Sequence, residues 1–348
     1  MSSLFEQTLG LLTPELSIDF GHDRLRIASQ DLSNQIDEAT LLILQSNGKQ
    51  SVLYASGNPA RSMQGRMGSQ YQAQRPLFDN VLKDSPHTQA FLNSNIRRVL
   101  GGRSLFQPRT VIATPHKMGA DQLALIGKFL QPTCGKDLFF VPAPLCAALS
   151  ADINYESPSV RLIMDIGHAS TRIAAVSLSC IIAYAESPIG GHYLNRLIIR
   201  YFHQQHGIHI DSLSAEDIKI NTASAFFPEP NPKLDCVGRE SDGKGTKRVT
   251  FYHSDIFQLL QNPFQEWISL IRKVCGGLHP AAFEDITRSP MLLIGGGSQI
   301  KDLAPFLSQH SRLEVTCSEF PKESVLRGAQ LFHRNHNLLL WSALPPAA

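Results

Sequence analysis

The sequence predicts an α/β protein built from two related lobes, each with a mixed sheet flanked by helices. Three observations point there. The chain has 348 residues, more than one ordinary hydrophobic core serves and enough for two. Strand-like and helix-like segments alternate along its length. Each half opens on the same signal, an apolar run ending in Asp-x-Gly: Asp19-Phe20-Gly21 in the first and Asp165-Ile166-Gly167 in the second.

The elements follow in order. "ELSIDFG" and "RLRIAS" predict a hairpin turning at Gly21–Arg24. "ATLLILQSNGKQSVLYASG" predicts a second hairpin around Asn47-Gly48, a dipeptide suited to a two-residue turn. "TQAFLNSNIRRVLGG" has helical spacing and a glycine stop. "RTVIATP" reads as a buried strand, "GADQLALIGKFL" as a helix, "DLFFVP" as a strand and "APLCAALSADI" as a helix. The central hairpin spans 160–186. A long helix, "GGHYLNRLIIRYFHQQHGI", ends at Gly207. "SAEDIKINTAS" predicts a helix capped by Ser214. Residues 227–250 are rich in Pro, Gly and charge and read as an exposed loop or hairpin. "SDIFQLLQNPFQEWISLIRKVCGGL" is helical with a break expected near Pro263. "SPMLLIGGGSQIKDLAPFLSQ" reads as strand, triple glycine and helix.

Composition narrows the function. With 43% hydrophobic and 18% charged residues the chain fits a soluble globular protein. A net charge of +2 gives no basic surplus for nucleic acid. No apolar run reaches the ~18 residues of a membrane-spanning helix, and the N-terminus lacks the basic start of a secretory signal. The six cysteines carry no C-x-x-C pair and suggest reduced thiols in a cytoplasmic protein. Cys146 and Cys180 lie in apolar stretches and read as core residues. His203, His206 and His209 invite a metal reading, but Gly207 ends the helix between them, so a solvated helix end is the better reading.

Seven segments together resemble a known family: "LSIDFG", "RPLFDNVLKD", "PRTVIATP", "MDIGHASTRIAAVSL", "IGGHYLN", "SAEDIKINTASAF" and "LLIGGGSQIKDL". Their order and spacing are similar to those of the actin-like ATPases, and of the MreB family in particular, the bacterial actins of cell-shape control. The likeness runs from about residue 4 to about residue 332. It implies an actin-like fold with ATP and magnesium in a cleft between the lobes. It implies a first lobe at 1–146, with core subdomain 1–30 and 75–146 and small subdomain 31–74. The second lobe is 147–348, with core 147–188 and 252–322 and small subdomain 189–251; residues 323–348 return to the first lobe.

The resemblance also assigns residues. Asp19 and Asp165 would organise magnesium through water, with no metal ligated directly. Gly21 and Gly167 would let phosphate approach the backbone. Glu216 and Lys219 match the Glu-x-x-Lys that holds adenosine and share a helix face at i,i+3. Gly190 and Gly191 match a Gly-Gly pair before a subdomain helix, and Gly295, Gly296 and Gly297 would let adenine or phosphate come close. Other positions depart from the family. The small Thr-Ala-Asn after the first Asp-x-Gly is His22-Asp23-Arg24 here, and Asp23 would set a carboxylate near phosphate. Gly-Gly-Thr-Thr-Glu after the second is His168-Ala169-Ser170-Thr171-Arg172. Arg24, His168 and Arg172 become candidate phosphate contacts. The family's Glu-Glu-Pro is Pro142-Ala143-Pro144, so the glutamate that positions water is missing. No catalytic residue is therefore assigned, and ATP hydrolysis is expected to be reduced or absent.

MreB proteins contact the inner membrane face. Phe5, Leu9 and Leu12 fall on one face of an N-terminal helix, and Leu105 and Phe106 sit in a loop flanked by Arg103 and Arg109. Both segments are candidate membrane contacts for a cytoplasmic, peripheral protein, although packing on the protein's own surface also fits them. The expected function is a filament, of this chain or with a full MreB, working with inner-membrane shape-determining proteins. Two alternatives stay open: a non-polymerising pseudo-ATPase that regulates MreB filaments or a membrane partner, and an active ATPase of the same superfamily.

Overall fold

Both Asp-x-Gly segments fold into hairpins with matching turns. A computed structural model describes residues 13–29, 34–47, 50–78, 81–101 and 106–344. The chain divides into two compact units, Met1–Glu156 with Glu323–Ala348, and Ser157–Lys322.

The first unit is built on strands β1 (Glu15–Phe20), β2 (Arg24–Ser29), β3 (Gln35–Ala39), β9 (Arg109–Thr114) and β10 (Leu138–Pro142), in the order β10-β9-β1-β2-β3. The β1–β2–β3 meander is antiparallel, while β9 and β10 join in parallel. Between β3 and β9 lie β4 (Leu42–Asn47), β5 (Gln50–Ser56), helix α1 (Asn58–Met63), β6 (Tyr71–Gln74), the short pair β7 (Leu77–Phe78) and β8 (Val81–Leu82), and α2 (Pro86–Val99). Helices α3 (Ala120–Cys134) and α4 (Ala143–Ser150) follow β9 and β10. Leu16, Ile18, Leu25, Ile27 and Ile112 make the sheet side of the core, and Phe91, Ile96, Ile126 and Phe129 the helix side. The period-2 and period-3.6 apolar patterns of the sequence bury these faces.

The second unit repeats the plan. Its strands are β11 (Arg161–Ile166), β12 (Thr171–Ser177), β13 (Cys180–Ser187), β17 (Met291–Ile294) and β18 (Val315–Cys317), in the order β13-β12-β11-β17-β18. Again an antiparallel three-strand meander carries two parallel strands. Helix α5 (Gly191–His206), strand β14 (Ile208–His209), α6 (Ser212–Thr222), and the hairpin β15 (Lys233–Glu240) and β16 (Thr246–Tyr252) come between β13 and the long α7 (His253–Gly276). Helix α8 (Pro280–Thr287) precedes β17, and α9 (Leu303–Ser311) precedes β18. Helices α10 (Ser324–Phe332) and α11 (His336–Ser342) belong to the first unit, where α10 packs on α4 through Gly328.

Three expectations need correcting. The cap of α6 is Asp211, whose carboxylate accepts from the Ser214 amide at 2.7 Å, so the helix starts two residues before Ser214. Pro263 does not break α7, which runs unbroken from His253 to Gly276. Proline removes one backbone donor, but Leu260, Phe264, Trp267, Ile268 and Ile271 are buried on both sides of it and hold the helix in line. Cys180, unlike buried Cys146, is exposed at the start of β13.

Candidate functional site

The residues singled out in the second half all lie in the second unit, and most of them meet around one hairpin. The β11–β12 turn is closed by the Gly167 amide donating to the Ser170 carbonyl at 3.0 Å. The amides of Gly191 and His192, at the start of α5, donate to the carbonyls of Gly167 and His168 at 2.9 and 2.7 Å. These are the donors that a helix start leaves without intrahelical partners, and here the hairpin fills them. A Cβ on Gly190 would stand 2.6 Å from the His168 carbonyl oxygen, which is why the helix can begin this close to the turn. Lys219 is buried on α6, with Nζ 2.8 Å from Glu216 Oε2; the same oxygen accepts from Asn195 Nδ2 of α5 at 2.6 Å. A Cβ on Gly191 would lie 3.2 Å from Lys219 Nζ, so the Glu216–Lys219 pair and the Gly190-Gly191 pair are neighbours.

The triple glycine divides in its roles. Gly295 has φ +83°, and a Cβ there would come within 2.5 Å of both Asp165 Oδ1 and the Ile166 carbonyl. A Cβ on Gly297 would overlap the Ile166 side chain. Both glycines therefore let the β17 turn press against the end of β11. Gly296 has no atom within 4 Å of its Cβ position and is the one that stays open.

Arginine dominates the charge at both hairpins. In the second unit Asp165, Arg172 and Glu186 face one another across β11, β12 and β13. Arg172 Nη1 is 3.9 Å from Asp165 Oδ2, and Nε donates to Glu186 Oε1 at 2.9 Å. Ser170 Oγ and Tyr184 Oη also donate to Glu186, at 2.7 and 3.0 Å. Burial works against the Arg172 charge, but Asp165 and Glu186 outweigh it and raise its pKa above the ordinary guanidinium value. Burial likewise opposes the Glu186 charge, and Arg172 with the Ser170 and Tyr184 hydroxyls still holds that carboxyl below its usual range.

The first unit repeats the arrangement. Asp19, Arg26 and Asp37 face one another across β1, β2 and β3. Arg26 Nη1 is 3.3 Å from Asp19 Oδ2, and Nε is 3.4 Å from Asp37 Oδ2. The turn closes in the same way, with the Gly21 amide donating to the Arg24 carbonyl at 2.9 Å. Arg24 itself holds Asp37 at 2.6 Å and Asn58 Oδ1 at 3.0 Å. Asp23 lies 2.8 Å from Arg61 and 3.4 Å from Arg75, so two guanidinium groups offset the carboxylate that sequence reasoning placed against phosphate.

Sequence reasoning named Asp19 and Asp165 but missed Arg26, Asp37 and Glu186, and it read Arg172 only as a phosphate contact. The signal was available: a hairpin with its turn at Gly21–Arg24 sets Asp19 opposite Arg26, seven residues on, and Arg172 stands seven residues after Asp165. Each aspartate faces a guanidinium that a second carboxylate shares, so both rungs keep one net negative charge. At the position assigned to the water-positioning glutamate, α4 starts with Ala143 and Pro144 after Pro142 and has no acid in its first turn. Phe106 is exposed, while Phe5, Leu9, Leu12 and Leu105 lie outside the described residues. The three histidines gather no metal ligand set among the described residues; His203 stacks on His209, ring centroids 4.5 Å apart.

Two meanders of this kind, each extended by parallel strands and joined by helices, define the actin-like fold. MreB5 of Spiroplasma citri, solved with ADP bound, matches with a TM-score of 0.87 at 22% identity over 94% of this chain and 98% of that one. A MamK double helical filament matches with a TM-score of 0.75 at 18% identity, over 93% of this chain and 99% of that one. The cell shape-determining protein MreB of Escherichia coli (strain K12) is 26% identical over 324 residues, 92% of this chain and 93% of that protein. A family model described as MreB/Mbl protein matches residues 13–340, and the chain belongs to that family.

Proposed function

We propose that this chain is a cytoskeletal protein of cell-shape maintenance that polymerises, alone or with a full MreB, at the cytoplasmic face of the membrane. It binds ATP weakly through the Glu216–Lys219 pair, the open Gly296 and the hairpin at Gly167, and hydrolyses it slowly or not at all. Membership of the MreB/Mbl family and the likeness to a filament-forming MamK support self-association. The likeness to an ADP-bound MreB5 supports a nucleotide. One observation carries the reduced hydrolysis: the first turn of α4, where the family resemblance puts the water-positioning glutamate, has no acid. The Phe106 loop is the candidate membrane contact among the described residues, and inner-membrane shape-determining proteins are the expected partners.

The test is negative-stain microscopy of the purified full chain with ATP, alongside phosphate release from the same sample. Filaments with release at background are expected. Single particles under every condition would instead identify a non-polymerising regulator, and sustained release would show that another group activates water.

A further inference from the structure

Two guanidiniums share the one carboxylate of Asp23. Asp23 lies in the β1–β2 turn, Arg61 on α1 and Arg75 directly after β6, so three separate parts of the first unit bring these charges together. Each carboxylate oxygen has its own arginine: Arg61 Nη1 is 2.8 Å from Oδ2 and Arg75 Nη1 is 3.4 Å from Oδ1. Arg75 Nη1 also donates to the His22 carbonyl at 3.1 Å. The ion pairs beside the turn supply no spare acid. Arg24 pairs with Asp37, which Arg26 shares with Asp19, and Arg98 pairs with Glu38. Those groups balance one another, and the surplus positive charge stays with Arg61 and Arg75. Their side chains are 29% and 22% exposed, a setting in which a charge with half a counter-charge is costly. Burial lowers the Arg75 pKa, Asp23 opposes the fall and the Arg61 charge adds to it; the balance stays below the ordinary guanidinium value.

Asp23 thus demonstrates that the space between the two arginines holds an oxyanion. A carboxylate brings one negative charge to it. A phosphate dianion brings two, with an oxygen for each guanidinium, and matches both arginines. The turn is also held by bonds that the Asp23 carboxylate does not make. The Thr40 amide donates to the Asp23 carbonyl at 2.8 Å, and Thr40 Oγ1 to the Gly21 carbonyl at 2.9 Å.

We infer that Arg61 and Arg75 form a phosphate-binding pair in the first unit, and that Asp23 is the internal anion that fills it until a phosphate group takes its place. The pair lies wholly within one unit, so it stands apart from the nucleotide reading above.

Titration calorimetry of the full-length chain with sodium phosphate, at fixed pH and ionic strength, tests it. The parent chain is expected to bind inorganic phosphate with a dissociation constant on the order of millimolar or weaker, and Asp23→Asn about tenfold more tightly, because the competing charge is gone. Arg75→Met is expected to lose the binding. An Asp23→Asn chain that takes phosphate no better than the parent would overturn the inference and leave the three residues as a clamp between α1 and the turn. Undiminished binding by folded Arg75→Met would overturn it too, as would sodium chloride giving the same heat as phosphate. If either variant fails to fold, as judged by circular dichroism, Asp23→Ala and Arg61→Met provide the same comparisons. ATP titrated into Asp23→Asn at saturating phosphate separates the sources of the phosphate group. Weakened ATP binding assigns the pair to the terminal phosphate of a nucleotide; unchanged or absent ATP binding assigns it to free phosphate.

Discussion

His333 shows how one buried side chain makes stability depend on pH. Its Nε2 lies 3.2 Å from Ser17 Oγ and 3.3 Å from the Leu16 carbonyl oxygen. Burial pushes its pKa down to about 4 from 6.5; the Leu16 carbonyl pulls the other way and the Arg109 charge adds to the fall. The unfolded chain therefore binds a proton that the folded chain refuses between those two values. The stabilisation is complete above pH 6.5 and is lost as pH falls toward 4, by roughly 3 kcal/mol at most for a shift of this size. A His333→Gln variant is expected to show a shallower fall of Tm over that window than the parent chain. Equal slopes in thermal unfolding would show that His333 does not carry the effect. Residue identities were legible in the sequence here, but their partners were not. Asp19, Asp165, Glu216 and Lys219 stand out by type and spacing. The link between His333 and Leu16 spans 317 positions, and no local pattern encodes it.

At the scale of elements, the sequence states the periodicity and the structure adds tolerance and close approach. Apolar runs ending in Asp-x-Gly placed β1 and β11, which are buried along most of their length, and the turn at each glycine placed their partners β2 and β12. The continuity of α7 through Pro263 was not legible, because the buried stripe that holds it depends on the sheet beneath. Nor did the sequence mark Gly328. A Cβ there would overlap the Cys146 carbonyl, so α10 and α4 touch backbone to backbone. Gly328→Ala is expected to destabilise the chain by about 1–3 kcal/mol, as overpacking does. Gly276→Ala, at a position with nothing within 4 Å, should leave Tm unchanged or slightly higher. Thermal unfolding of the two variants side by side checks this; a harmless Gly328→Ala would mean the helices can separate at little cost.

For the whole molecule, the repeated plan was the most legible property, since the Asp-x-Gly signal occurs once in each half. The chain crosses between its two units twice, at Glu156–Ser157 and at Lys322–Glu323, and the final helices complete the first unit. Among the described residues no helix is long and apolar enough to cross a membrane. Phe106, 41% exposed, is the residue through which to test membrane contact. Full-length chain is expected to co-sediment with vesicles containing anionic lipid, and Phe106→Ser to weaken this severalfold. Equal sedimentation of both proteins would remove the loop from membrane binding.

The rungs at Asp19–Arg26–Asp37 and Asp165–Arg172–Glu186 have a further consequence. A counter-ion joined to the chain by covalent bonds has no dissociation constant. It cannot be stripped by a chelator, exchanged for a different ion, or diluted when the surroundings run short of it. This chain carries that charge as part of its sequence, and only mutation can change the supply.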